Sequence, residues 1–112
     1  MDHDIQWGGM VRIEFEDDLV CAFCEQRTGI VFPWPSTLRR PLMTRMQSLD
    51  AAVDERDILA LSSLDYAPDS ATRGTIRVDT TYRLGIALLP GPPAAVSIRG
   101  LAPAPSTGDR NV

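Results

Sequence analysis

The sequence predicts one small α+β domain, with a strand and two helices from the N-terminal half packed on a curved antiparallel β-sheet. Three observations predict it. Between Gly74 and Leu101 three runs alternate apolar and polar residues with period two: Ile76 and Val78, then Leu84, Ile86 and Leu88, then Val96 and Ile98. That is the pattern of strands with one buried face. Upstream, Leu38, Leu42, Met46, Leu49 and Val53 recur at three and four residues, the spacing of one helical face. Finally, 112 residues make one domain's length, enough to bury roughly two-thirds of the unfolded surface.

Taken in order, residues 1–10 read as an extension ahead of the fold. They are acidic and lack the apolar core of a signal peptide, and no run in the chain approaches the ~18 apolar residues of a membrane span. A cytoplasmic protein is expected. Val11, Ile13 and Phe15 alternate with Arg12, Glu14 and Glu16, a first strand. A helix follows, with Asp17 or Asp18 as N-cap and Leu19, Val20 and Phe23 as its apolar stripe. Residues 28–35 form a loop broken by Gly29, Pro33 and Pro35, and Trp34 between the prolines reads as a hydrophobic clamp beneath it.

The main helix is expected over 36–53, with Ser36 or Thr37 as N-cap and Pro41 moving its regular start nearer Arg40. Residues 54–57 read as a solvated link, Ile58 to Leu61 as a short apolar segment on the core, and 62–73 as loop. The three strands follow, with Pro90-Gly91-Pro92-Pro93 as the turn between the last two, because proline cannot continue a ladder. Residues 11–101 are then the domain and 102–112 a flexible tail.

Register decides what the sheet displays. Pairing Asp79 with Arg83 sets Val78 opposite Leu84 and Ile76 opposite Ile86, whereas a slip of one residue would drive charges into the core. Arg77 and Arg83 then share the face away from the core, joined by Arg99 if Val96 and Ile98 point inward. Thr80 and Thr81 lack the Gly or Asn of a tight primed turn, which predicts a loop of three residues or more.

Charge narrows the functional classes. All eleven basic residues are Arg, and fifteen Asp and Glu leave a net charge of −4. Nucleic-acid binding through the field of the whole protein is excluded, so any phosphate contact must come from a local cluster of Arg, which suits bidentate recognition. The sheet-face arginines admit two readings. One is an exposed face with an Asp79–Arg83 ion pair, worth well under about 1 kcal/mol. The other is an anion site for a phosphodiester or an acidic partner segment. Arg39, Arg40 and Arg45 are solvated helix surface or, in the sharper reading, a phosphate-facing patch.

Other chemistries find less support. Cys21 and Cys24 form a single CxxC without a second ligand pair, and acidic neighbours oppose a thiolate, so the thiols read as buried and structural. His3, the one histidine, could serve as a base only if the extension folded back over the sheet. Serines have no partner base, and no glycine-rich phosphate loop is present. Neither a metal nor a cofactor is expected.

Ordered motifs add a resemblance. Leu49 to Ala52, Asp57 to Leu59, Thr75 to Val78, Tyr82 to Leu84 and Val96 to Ile98 follow, in order, the pattern of HigB-type (host-inhibition) toxins of the RelE/ParE superfamily. The likeness spans about residues 11–101. It implies a RelE-like fold and a bacterial toxin of a type II toxin–antitoxin pair, a metal-independent mRNA endonuclease acting on the ribosome. The implied partner is a cognate antitoxin, often a helix-turn-helix protein, that neutralises the toxin and represses its operon. Arg83 falls where the family's guanidinium holds the scissile phosphate, and Arg77 on a basic strand position that contacts RNA. Arg99, Arg39, Arg40, Arg45 and Arg73 are the further RNA-binding candidates.

The departures are specific. Gly100, Leu101 and Ala102 stand where HigB-type toxins carry an Asp-Tyr-His-like cluster, and Pro68, Asp69 and Ser70 replace basic or histidine residues. Arg stabilises phosphate charge but transfers no proton, and a lost acid or base costs ~10²–10⁴ in rate. Tyr82, a potential proton donor, points to the core in the expected register. Two further expectations stand beside the nuclease: a ParE-like inhibitor of DNA gyrase, and an inactive antitoxin-binding domain.

Overall fold

The computed structural model describes residues 11–52, 55–89 and 94–104. The expected extension with His3, the proline-rich turn at 90–93 and the tail from 105 onward lie outside the described residues. Strand β1 (Arg12–Phe15) and helix α1 (Asp18–Cys24) open the fold. Asp17 caps α1, its carboxylate accepting from the backbone N–H groups of Leu19 at 2.9 Å and Val20 at 3.3 Å. At the other end Gln26 adopts the left-handed conformation. There the N–H groups of Arg27 and Gln26 donate back to the carbonyls of Ala22 and Phe23, closing the helix.

The main helix enters differently from expectation. Ser36–Leu38 form a 3-10 turn, and helix α2 runs over Arg39–Ala51 without a side-chain cap from Ser36 or Thr37. Pro41 is the third residue of α2, where a backbone N–H would have no intrahelical acceptor, so the ring costs nothing. Ala52 turns extended and ends the helix; Val53 lies outside the described residues. Leu42, Met46 and Leu49 are wholly buried, each stabilising by about 1.5–3 kcal/mol relative to exposure. The stripe is therefore core and not a free docking face.

Two stretches expected to be irregular are ordered. Glu55–Ala60 form helix α3, so the acidic link supplies its first turn. Ile58 is buried as expected, but Leu59 and Leu61 are exposed. Within the expected loop, Ser62–Leu64 make a 3-10 turn and Ala67–Pro68 a two-residue strand, β2. Pro68 sits at the sheet's edge, where a missing donor does no harm.

Strands β3 (Arg73–Arg77), β4 (Tyr82–Leu89) and β5 (Ala95–Pro103) complete a five-stranded sheet of order β1-β5-β4-β3-β2. β1 lies parallel to β5, so the sheet is mixed rather than antiparallel throughout. Alternation assigns faces to a strand and says nothing about its direction, which is why the expectation of an antiparallel sheet misses the parallel pairing. β5 also continues through Ala102 and Pro103, which pair with Arg83 and Tyr82, so the domain runs past residue 101.

The β3–β4 register differs from expectation by two residues: Ile76 faces Leu84 rather than Ile86, and Arg77 faces Arg83. The cause is the turn. Val78 N–H donates to the Tyr82 carbonyl at 3.0 Å. Asp79 Oδ1 accepts from Thr81 and Tyr82 N–H at 2.8 Å each, which stabilises a three-residue loop over 79–81. An even shift leaves both faces intact. Ile76, Leu84, Ile86, Val96, Ile98 and Leu101 meet the helices in one core. Trp34 clamps the loop as expected, its ring against Phe23 and its Nε1–H donating to the Leu101 carbonyl at 2.9 Å.

Candidate functional site

The helices pack on the sheet's apolar face and leave the opposite face open. On it β3 presents Arg73, Thr75 and Arg77, while β4 presents Arg83, Gly85 and Ala87. Arg77 and Arg83 stand directly opposite each other and line one concavity of about 420 Å³. Thr75, Asp79 and Thr80 complete its polar wall, with Ala67 and Ala104 at its margins.

Two like charges directly opposite are unfavourable unless one is compensated. Arg83 is. Its Nε donates to Thr75 Oγ1 at 2.7 Å, one Nη to Asp65 Oδ2 at 3.0 Å, and the other to the Thr75 carbonyl at 3.1 Å and to the Asp65 carbonyl. The expected Asp79–Arg83 ion pair is not formed, because Asp79 is engaged in its own turn and Asp65 takes its place. Arg77 is exposed, and its guanidinium has no partner among the described residues.

Asp65 reaches Arg83 because of two backbone features. Asp65 itself is left-handed, φ 49°, a conformation that Asp tolerates better than most residues. Gly74 lets the following segment approach closely: a Cβ there would stand 2.6 Å from the Ala67 carbonyl oxygen and 2.6 Å from the Tyr66 ring. Neither residue could be found from periodicity, because they act through a turn and a close approach.

The remaining arginines divide. Arg99 is the residue left unpaired by a bulge, since Gly85 faces Gly100 while Ile86 faces Ile98. It shares the open face, but its head turns to Glu16, 3.6 Å away, and does not line the concavity. The Ser97 hydroxyl, 2.6 Å from Glu16, holds that carboxyl below its ordinary value. The charges of Arg99 and Arg73 act in the same direction, against the opposing effect of burial. Arg39 is structural: its guanidinium lies 4.6 Å from the Phe23 ring and donates to the Phe23 carbonyl. Arg40 is exposed on α2, in the helical layer. Arg45 donates to the Arg77 carbonyl at 2.8 Å, tying α2 to the end of β3. None of the three helix arginines lines the concavity.

Titratable chemistry at the concavity is sparse. Its charged lining consists of Arg77, Arg83 and Asp79, and Tyr82 packs against the core. Cys21 and Cys24 are buried free thiols in α1, pushed up to about 11 and about 12 chiefly by desolvation. Among the described residues, no group of three or more His, Cys, Asp or Glu is placed to hold a metal ion, and no helix is long and apolar enough to cross a membrane.

No protein-family model, curated protein or solved structure matches the chain. The chemistry of the face follows from its own side chains. A guanidinium pair flanked by threonine hydroxyls binds and stabilises phosphate or carboxylate charge, and it supplies no proton at neutral pH.

Proposed function

We propose that this chain is a HigB-type toxin domain of a toxin–antitoxin pair, with a RelE-like fold, that binds mRNA on the ribosome through the Arg77–Arg83 face. The observation that carries this reading is the placement of Arg77 opposite Arg83 in one concavity of an otherwise acidic molecule. Those are the two positions at which the ordered motifs set the phosphate-holding arginines. The helix-rich N-terminal half over a single sheet accords with the same reading.

In this role Arg77 contacts a phosphate first, being exposed, and Arg83 stabilises the charge that develops when a 2′-hydroxyl attacks. Thr75 holds the Arg83 fork in plane. A cognate antitoxin covers the face in the resting pair. The test is growth after induction with and without the adjacent gene, with RNA 5′ ends mapped. Arrest relieved by the neighbour, with new ends inside codons, supports the nuclease; an Arg77→Ala protein as toxic as the parent refutes the site.

One observation favours a second reading, binding without cleavage. Among the described residues lining the concavity the acid–base groups reduce to one carboxylate, Asp79, whose Oδ1 accepts two turn N–H groups. A ParE-like gyrase inhibitor would then give DNA-damage induction without new RNA ends. An inactive antitoxin-binding domain would give no growth phenotype and tight binding to the neighbouring gene product.

A further inference from the structure

We infer that Asp65 is a built-in competitor for the phosphate site, an intramolecular carboxylate that occupies Arg83 until a polyanion displaces it; this rests on the reading of the Arg77–Arg83 face as an RNA-binding surface. Four contacts define the device. Asp65 offers Arg83 both a carboxylate oxygen, at 3.0 Å, and its backbone carbonyl, while Thr75 offers its hydroxyl and carbonyl. Thr75 belongs to the adjacent strand and fixes the guanidinium in place. Asp65 lies outside the strands, between the 3-10 turn and β2.

The asymmetry of exposure sets the direction of the exchange. The Asp65 side chain is 58% exposed and the Arg83 side chain 15%. The carboxylate can rotate into water without opening the core, whereas the guanidinium stays where Thr75 holds it. A phosphate oxygen arriving in the concavity would accept the Arg83 Nη1–H hydrogen bond that Asp65 gives up. A lone anion gains little from this, because it replaces one charge partner with another. A strand of RNA gains more, since a second phosphate engages Arg77, which has no competitor among the described residues. Asp65 thus makes the face selective for polyanions over single small anions.

Asp65→Asn tests this cleanly. Asn tolerates the left-handed backbone at residue 65 and keeps the carbonyl contact, and only the charge is lost. Asp69→Asn is the control, removing the same charge from an exposed position with no ion pair to Arg83. Binding of a short single-stranded oligouridylate is measured by fluorescence anisotropy for the parent, both Asn variants and Arg77→Ala. An exposed ion pair of this kind predicts roughly two- to five-fold tighter binding for Asp65→Asn, with Asp69→Asn much closer to the parent. Equal tightening by both variants would mean bulk charge and would overturn the competitor role. So would no tightening by Asp65→Asn while Arg77→Ala still weakens binding, and that result would leave the RNA-binding face standing. Binding by none of the proteins would overturn both.

Discussion

Arg83 and Arg77 face each other across two strands, yet their replacement should have opposite kinds of consequence. Arg83→Ala removes a guanidinium that makes four hydrogen bonds and leaves the Thr75 hydroxyl half-buried without its donor. Bonds from a charged donor are worth about 1.5–3 kcal/mol when desolvated. The Asp65 carboxylate is mostly in water, so its share falls well under about 1 kcal/mol, and the freed carbonyls recover partners from solvent. The net loss is about 1–2 kcal/mol, which for a domain of this size lowers the melting temperature by roughly 3–10 °C. Arg77→Ala touches an exposed side chain and should stay within about 0.5 kcal/mol of the parent. Urea and thermal unfolding of the two variants decide the matter. An Arg83→Ala protein as stable as the parent, or an Arg77→Ala protein equally destabilised, would refute the partition of one arginine into scaffold and the other into free contact.

Gly74→Ala should destabilise by about 1–3 kcal/mol in urea unfolding, because the new methyl has no room against the Ala67 carbonyl and the Tyr66 ring. Glu16 gives a pH signature: its lowered pKa contributes stability that is present above the unfolded value, 4.5, and lost as pH falls through the folded value. Ser97→Ala removes the largest cause of that shift, so the variant should lose less stability than the parent between neutral and acid pH. The thiols behave oppositely. Their raised values contribute stability that is full below the unfolded value of 9.0 and declines as pH rises toward about 11 and about 12. Near pH 8 a disulfide reagent should therefore label Cys21 and Cys24 only as fast as the protein unfolds, and rapid labelling of the native state would contradict their burial.

Faces were more legible than connections. Alternation in 76–98 assigns Ile76, Leu84, Ile86, Leu88, Val96 and Ile98 to their correct side, and the even register shift preserved that assignment, whereas Leu101 reaches the core only because the bulge changes the parity. The stripe on α2 was equally plain, as was a cap at Asp17 or Asp18, which the structure places at Asp17, because burial and capping each leave a local mark. The parallel β1–β5 pairing left none, since strand direction depends on where the chain returns after the helices. β2 is too short for periodicity to register, and the bulge at Arg99 depends on its neighbour β4. At the site, Arg77 and Arg83 could be read from parity alone. Their difference in state could not: Asp65 is eighteen residues from Arg83 and reaches it through a left-handed turn.

Phosphodiester binding by Arg77 and Arg83 is tested most directly by the salt dependence of oligouridylate binding by the parent and by Arg77→Ala. Each phosphate contact on a single strand contributes a slope of about 0.7 in log affinity against log salt. Arg77→Ala should bind more weakly and lose about that much slope while remaining folded. Identical affinities and slopes for the two proteins would contradict the account.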